Sequence, residues 1–137
     1  MKVRDLDGGQ HIWSLQGYGI GAGIAFGIEN RSSLHLDARK LLQDLYPTMT
    51  ILEEVPIPIS RTQQLFLDFY LPLRRMAVEI QGQQHDTYIP HFHKTLRGFI
   101  NSKQRDEDKE TWCNLNNISL IKFLHNESIE EWKNKLI

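Results

Sequence analysis

Two apolar runs, QLFLDFYL and RMAVEIQG, follow one another with only PLRR as the link. Aromatic and branched residues dominate both, and so short a connection predicts a β-hairpin whose two strands form the buried heart of a sheet. Each run is interrupted by one carboxylate, Asp68 in the first and Glu79 in the second. A carboxylate inside an apolar strand is costly unless something there needs its charge. On neighbouring strands of one hairpin, the two acids are expected to converge at one end of the sheet.

The rest of the chain supplies partners for that hairpin. SSLHLDARKLLQDLYP reads as a helix: Leu34, Ala38, Leu41, Leu42 and Leu45 recur at steps of three and four. Ser32 or Ser33 can cap it, and Pro47 stops it. TILEEVPIPIS is extended, and Pro56 and Pro58 place it at an edge of the sheet. The stretch 92–116 is polar, with spaced apolar positions, and predicts a long helix starting after Pro90. ISLIKFL is a further strand. SIEEWKNKLI opens with Ser128 and Glu131 in capping-box spacing and is a terminal helix. Residues 33–137 thus form one α/β domain, a mixed sheet flanked by helices in the order α-β-β-β-α-β-α. Residues 1–32 are a glycine-rich N-terminal segment. Its alternating Gly17, Gly19, Gly21 and Gly23 lack the strand-then-helix frame of a dinucleotide-binding loop. A glycine-rich strand or turn is the plainer expectation.

Composition narrows the function classes. With 40% hydrophobic and 24% charged residues among 137, the chain is globular and long enough to bury a core. No apolar run approaches the ~18 residues of a membrane span, and MKVRDLDGG lacks a secretory apolar region, so a cytoplasmic protein that binds no membrane is expected. Cys113 is the only cysteine, which excludes a disulfide framework or a cysteine-based zinc finger. A net charge of −1 argues against broad electrostatic wrapping of nucleic acid, yet it leaves room for a local basic face or for metal ions bridging acids to phosphate.

The chemistry of the acids points to a hard cation. Two carboxylates that meet repel each other unless a positive charge lies between them. Mg²⁺ takes one or two protein carboxylates and accepts phosphate oxygens in its remaining positions. Such an ion polarises a phosphoryl group and lowers the pKa of a bound water, which is the requirement for phosphodiester hydrolysis. His85, just past the second run, can take or give a proton near neutral pH.

LDFYLP…AVEIQGQQH resembles the D-F-x-x-P…E-x-D-G-x-x-H pattern of the very-short-patch-repair-like branch of the PD-(D/E)xK nucleases. That branch, also described as EDxHD-type, includes mismatch-nicking repair enzymes and some phage homing endonucleases. DEDKETWCNLNNISLIKF at 106–123 resembles the second half of the pattern, with Asp106 on the acidic position, Lys109 on the basic one and Asn117 on the turn glycine. The resemblance covers residues 33–123 and implies a restriction-endonuclease-like core. It also implies a DNA endonuclease using Mg²⁺, with Mn²⁺ as a substitute. Asp68 and Glu79 would be the metal positions, His85 the histidine beside the scissile phosphate, and Asp106 the last acid of the site. Two departures stand out. Gln81 occupies the position of the x-K lysine, which shifts proton handling to His85. The glutamate of the first helix is missing, with His35 at about its place and Asp37 two residues on; His35 is expected to face the site.

Lys94, Arg97, Lys103 and Arg105 come without an acid until Asp106, so a helix there is expected to present a basic face to a DNA backbone. Lys109, His91 and His93 are further candidates for phosphate contact, and His85, His91 and His93 are also a conceivable zinc set. Trp112 and Trp132 are expected in the core, and Glu107 and Asp108 in solvent. One strand would be cut per site, so a double-strand break requires a homodimer or two successive nicks. A fold that has lost cleavage and serves as a nucleic-acid- or protein-binding module is the alternative.

Overall fold

The computed structural model describes residues 1–20, 32–82 and 96–137. A small N-terminal hairpin pairs β1 (Lys2–Arg4) with β2 (Gln10–Ile12). Then follow α1 (Ser33–Leu45), β3 (Leu52–Pro58), β4 (Gln64–Leu71), β5 (Met76–Gln81), α2 (Leu96–Leu115), β6 (Ser119–Leu124) and α3 (Ile129–Lys135). From residue 33 onward the described elements run in the expected order. The four longer strands form one mixed sheet, β3-β4-β5-β6, with β3, β4 and β5 antiparallel and β6 parallel to β5.

The local causes are those legible in the chain. Ser32 caps α1 by accepting the His35 amide, and Ser128 caps α3 by accepting the Glu131 amide. The strand carrying Pro56 and Pro58 lies at the sheet edge, where a missing N–H costs no ladder bond. Pro72–Arg74 form a turn of 3-10 helix, and Arg75, at φ 48, completes the link from β4 to β5.

Helix α2 ends in a Schellman motif: the Ile118 amide donates to the Cys113 carbonyl at 2.8 Å and the Asn117 amide to that of Asn114 at 3.3 Å. Asn117 takes the left-handed conformation this requires, φ 57, at the position matched to a glycine. Asn tolerates that region better than residues lacking a short polar side chain. Asn117→Gly should therefore melt at or slightly above the wild type, whereas Asn117→Val should lose about 1–2 kcal/mol in a denaturant titration.

The sheet is packed on both faces. On one side α1 and α3 bury Ala38, Leu42 and Trp132 against Phe69, Val78 and Phe123. On the other, α2 contributes Trp112 and Cys113 against Tyr70 and Ala77. Trp112 and Trp132 are core residues, as expected.

The first twenty residues hold more order than their composition suggested. Val3 and Trp13 join the α2-side core, and the Trp13 indole N–H donates to the Pro56 carbonyl at 2.8 Å. Asn116, just after α2, accepts the Arg4 amide at 2.8 Å and donates to the Arg4 carbonyl at 3.0 Å, so the hairpin is stitched to the domain. Buried Asp5 organises the loop, accepting the Asp7 and Gly9 amides and bonding His11 Nε2 at 2.7 Å. A Cβ on Gly9 would sit 2.8 Å from the Asp5 carboxylate, which is why glycine is needed there. No described helix is long and apolar enough to cross a membrane.

Candidate functional site

The hairpin ladder between β4 and β5 runs from Leu71↔Met76 to Phe69↔Val78. Continuing the register places Asp68 opposite Glu79, and there the side chains take over from the backbone. Glu79 Oε2 accepts the Asp68 amide at 2.7 Å, and Asp68 Oδ2 accepts the Ile80 amide at 2.9 Å. The carboxylates thus fill ladder positions that backbone carbonyls would otherwise occupy, and each fixes the other's strand. On the outer side, Glu54 lies between Glu53↔Phe69 and Val55↔Leu67, at φ 51. A non-glycine residue held in that region is strained and persists only where its surroundings impose it. The backbone is therefore irregular on both sides of Asp68.

Charge accumulates at this row. Glu79 is buried and Asp68 half-buried. Burial, and next the Glu79 charge, push the Asp68 carboxyl up to about 7, against the pull of the Ile80 amide and the Lys109 ammonium. Lys109 arrives from α2, with Nζ 2.5 Å from Glu79 Oε1. Nearby, burial first and Glu79 second push the Cys113 thiol up to about 12, so it is an inert core group.

Asp106 is half-buried, one turn before Lys109 on α2. Among the described residues no group of three or more His, Cys, Asp or Glu is placed to hold a metal ion, so Asp106 does not join the two acids in a ligand cluster. Gln81 ends β5 two residues beyond Glu79, hence on the same side of the strand, and its backbone carbonyl accepts the His125 amide at 2.9 Å. His85, His91, His93 and Lys94 lie outside the described residues.

His35 is not beside this pair. It stacks on Phe69, ring centroids 4.6 Å apart, on the α1 side of the sheet, while Lys109 approaches Glu79 from the α2 side. Its Nε2 lies 2.7 Å from Glu53 Oε2, and Arg39 donates to both oxygens of Glu53 at 3.0 Å. A helical stripe does not reveal which face of the sheet will receive it, and here α1 covers Phe69. Burial raises the pKa of Glu53, but the bonds from His35 and then Arg39 outweigh it and hold the carboxyl below its usual range.

The basic face on α2 also needs correction. At about 100° per residue, Lys103 lies roughly 120° from Arg97 and 160° from Arg105 around the helix. Lys103 sits over the Phe99 ring at 5.7 Å, and Arg105 donates to Ser102 Oγ at 2.9 Å. Arg97 and Arg105 are exposed, and Lys103 is half-buried. Arg97 and Arg105, about 80° apart, share a side of α2, and Lys103 does not join them. Glu107 is exposed and Asp108 half-buried, bonded by Gln104 at 3.0 Å.

No family model matches the chain. No solved structure matches it. A viral protein described as "Uncharacterized protein 307L", from Invertebrate iridescent virus 6, is 47% identical over 57 residues. That match covers 42% of this chain and 29% of the viral protein, so the chain spans under a third of that relative's length.

Two features of the site escaped sequence reasoning. The Lys109–Glu79 pair joins residues thirty positions apart, and the sequence offers Lys109 only as the basic position of the resemblance and a candidate for phosphate contact. The His35–Arg39–Glu53 cluster had a usable signal: His35 and Arg39 are four apart on one helical face, which invites a shared acidic partner.

Proposed function

We propose that this protein is a metal-dependent DNA endonuclease with a restriction-endonuclease-like core. The observation that carries the reading is the pair Asp68–Glu79: two acids lock each other's strands at one row of the sheet, and one of them is driven toward neutral pH by burial and then by the other's charge. Such an excess of negative charge is relieved by a divalent cation, and two carboxylate donors suit Mg²⁺, with Mn²⁺ as a substitute. The helix, three strands, helix, strand order, with two antiparallel pairings and then a parallel one, supports the same fold.

Asp68 and Glu79 would hold the ion. When bound, it supplies polarisation of the phosphoryl group and a more acidic water. Asp68 must give up its proton to serve, so activity rises as pH passes through about 7 and levels off above it. Gln81, on the Glu79 side of β5, offers an amide to a phosphate oxygen. His85 exchanges the proton with the attacking water or the leaving group. The exposed Arg97 and Arg105 are cations of α2 available to a DNA backbone.

Incubation of supercoiled plasmid with Mg²⁺ tests the reading directly: the wild type should give open circles, and Asp68→Asn and His85→Ala should not. Equal nicking by all three proteins would refute it. A second reading, a fold that binds nucleic acid or protein without cleaving, is favoured by one feature, the saturation of Glu79 by Lys109 and the Asp68 amide. It expects DNA or protein binding with no open circles from any of the three.

A further inference from the structure

Glu79 has two oxygens and both are taken: Oε2 by the Asp68 amide, Oε1 by the Lys109 ammonium. The first bond ties two strands of the sheet together. The second ends on a long flexible side chain that α2 extends toward the sheet. Of the two, only the Oε1 position is exchangeable without dismantling the hairpin. The Lys109 side chain is 18% exposed and that of Glu79 7%, so the pair is sheltered and the ammonium is a strong local charge. Lys122, although in register with Glu79, directs its amine to Glu110 at 2.7 Å. Among the described residues, Lys109 is thus the amine that neutralises the acidic row.

We propose that the Lys109 ammonium and a divalent cation compete for the Glu79 carboxylate, Lys109 being a built-in occupant that the ion displaces. This rests on the reading of Asp68 and Glu79 as a cation site. A positive charge within bonding distance of a ligand oxygen opposes a second cation at that oxygen, so the amine sets a threshold on ion binding. Asp106, one turn back on the same helix, is at the i, i+3 spacing at which a released Lys109 can form an ion pair.

Titration calorimetry with MnCl₂ at one fixed pH tests the competition. Lys109→Met should bind Mn²⁺ at least tenfold more tightly than the wild type, and Lys109→Arg, which keeps the charge, should match the wild type within a few-fold. Binding by Lys109→Met that is no tighter overturns the proposal, as does the absence of Mn²⁺ binding to either protein. Should the Met variant fail to fold, reductive methylation of the native chain with peptide mapping decides. Lys109 should react several times faster with Mn²⁺ present, and an unchanged rate overturns the proposal. Plasmid nicking separates this from the nuclease reading. A chain that nicks without competition at Lys109 keeps that reading and loses this one; competition without nicking does the reverse.

Discussion

Replacing Asp68 by Asn should make the protein more stable and, on the nuclease reading, inactive. Burial and the neighbouring Glu79 charge hold the Asp68 carboxyl at about 7, against 3.8 for an ordinary aspartate. The folded state therefore binds more protons than the unfolded one between those values, and stability falls as pH rises through that window. The ionised form costs on the order of a few kcal/mol once pH exceeds about 7, out of a typical total of 5–15. Asn removes that cost. Its carbonyl still accepts the Ile80 amide, and its amide group faces a carboxylate instead of opposing one. Thermal melts at pH 8 should show Asp68→Asn several degrees above the wild type, a gain of about 1–3 kcal/mol. At pH 4 the two should coincide. Nicking should drop at least 100-fold, since one of two oxygen ligands is lost. An Asp68→Asn protein that melts at or below the wild type at pH 8 would show that the acidic row is not under electrostatic strain. On the nuclease reading, stability carried below its optimum at this row follows from keeping two acids together for a cation.

How much of this was legible depended on the range of the interactions involved. Local signals held: Ser32 and Ser128 cap where their spacing said, Pro56 and Pro58 mark the edge strand, and PLRR links the central hairpin. Asp68 and Glu79 were visible because carboxylates in apolar strands violate binary patterning, and such violations gather where function overrides packing. The N-terminal hairpin was hidden because three-residue strands carry almost no period. It depends instead on Asp5 knitting its own loop, and on Asn116 and Trp13 bonding to distant backbone. Lys109 was hidden for a related reason, since no pattern along α2 tells which of its cations will meet a strand residue thirty positions earlier. The same ignorance of facing misplaced His35, whose helix covers Phe69 while the acidic row is met from the other side by α2.

The largest loss of stability should follow removal of Glu53. The residue is 6% exposed, and its carboxylate receives His35 at 2.7 Å and Arg39 twice at 3.0 Å. Glu53→Ala leaves the His35 imidazole and the Arg39 guanidinium without that acceptor beneath α1. Breaking a buried charge cluster by deleting one partner typically costs about 3–5 kcal/mol, because the survivors keep their desolvation penalty and lose its compensation. The change also removes the contact that holds His35 over Phe69, next to Asp68 in sequence. Glu53→Gln keeps the volume and one acceptor oxygen and should cost less, about 1–3 kcal/mol. The pH signature is opposite to that of Asp68. With the folded pKa of Glu53 below its ordinary 4.5, its contribution is present above that value and is lost as pH falls through the folded pKa. Glu53 therefore erodes stability on the acid side while Asp68 erodes it toward neutrality. The wild type should be most stable at about pH 4, where the Glu53 window closes and the Asp68 window opens. In Glu53→Gln the acid limb of that profile should flatten, and in Asp68→Asn the neutral limb should. Denaturant midpoints measured from pH 3 to 8 for the three proteins would separate the limbs. A wild-type maximum at pH 7 or above would contradict the charge assignment of both sites at once.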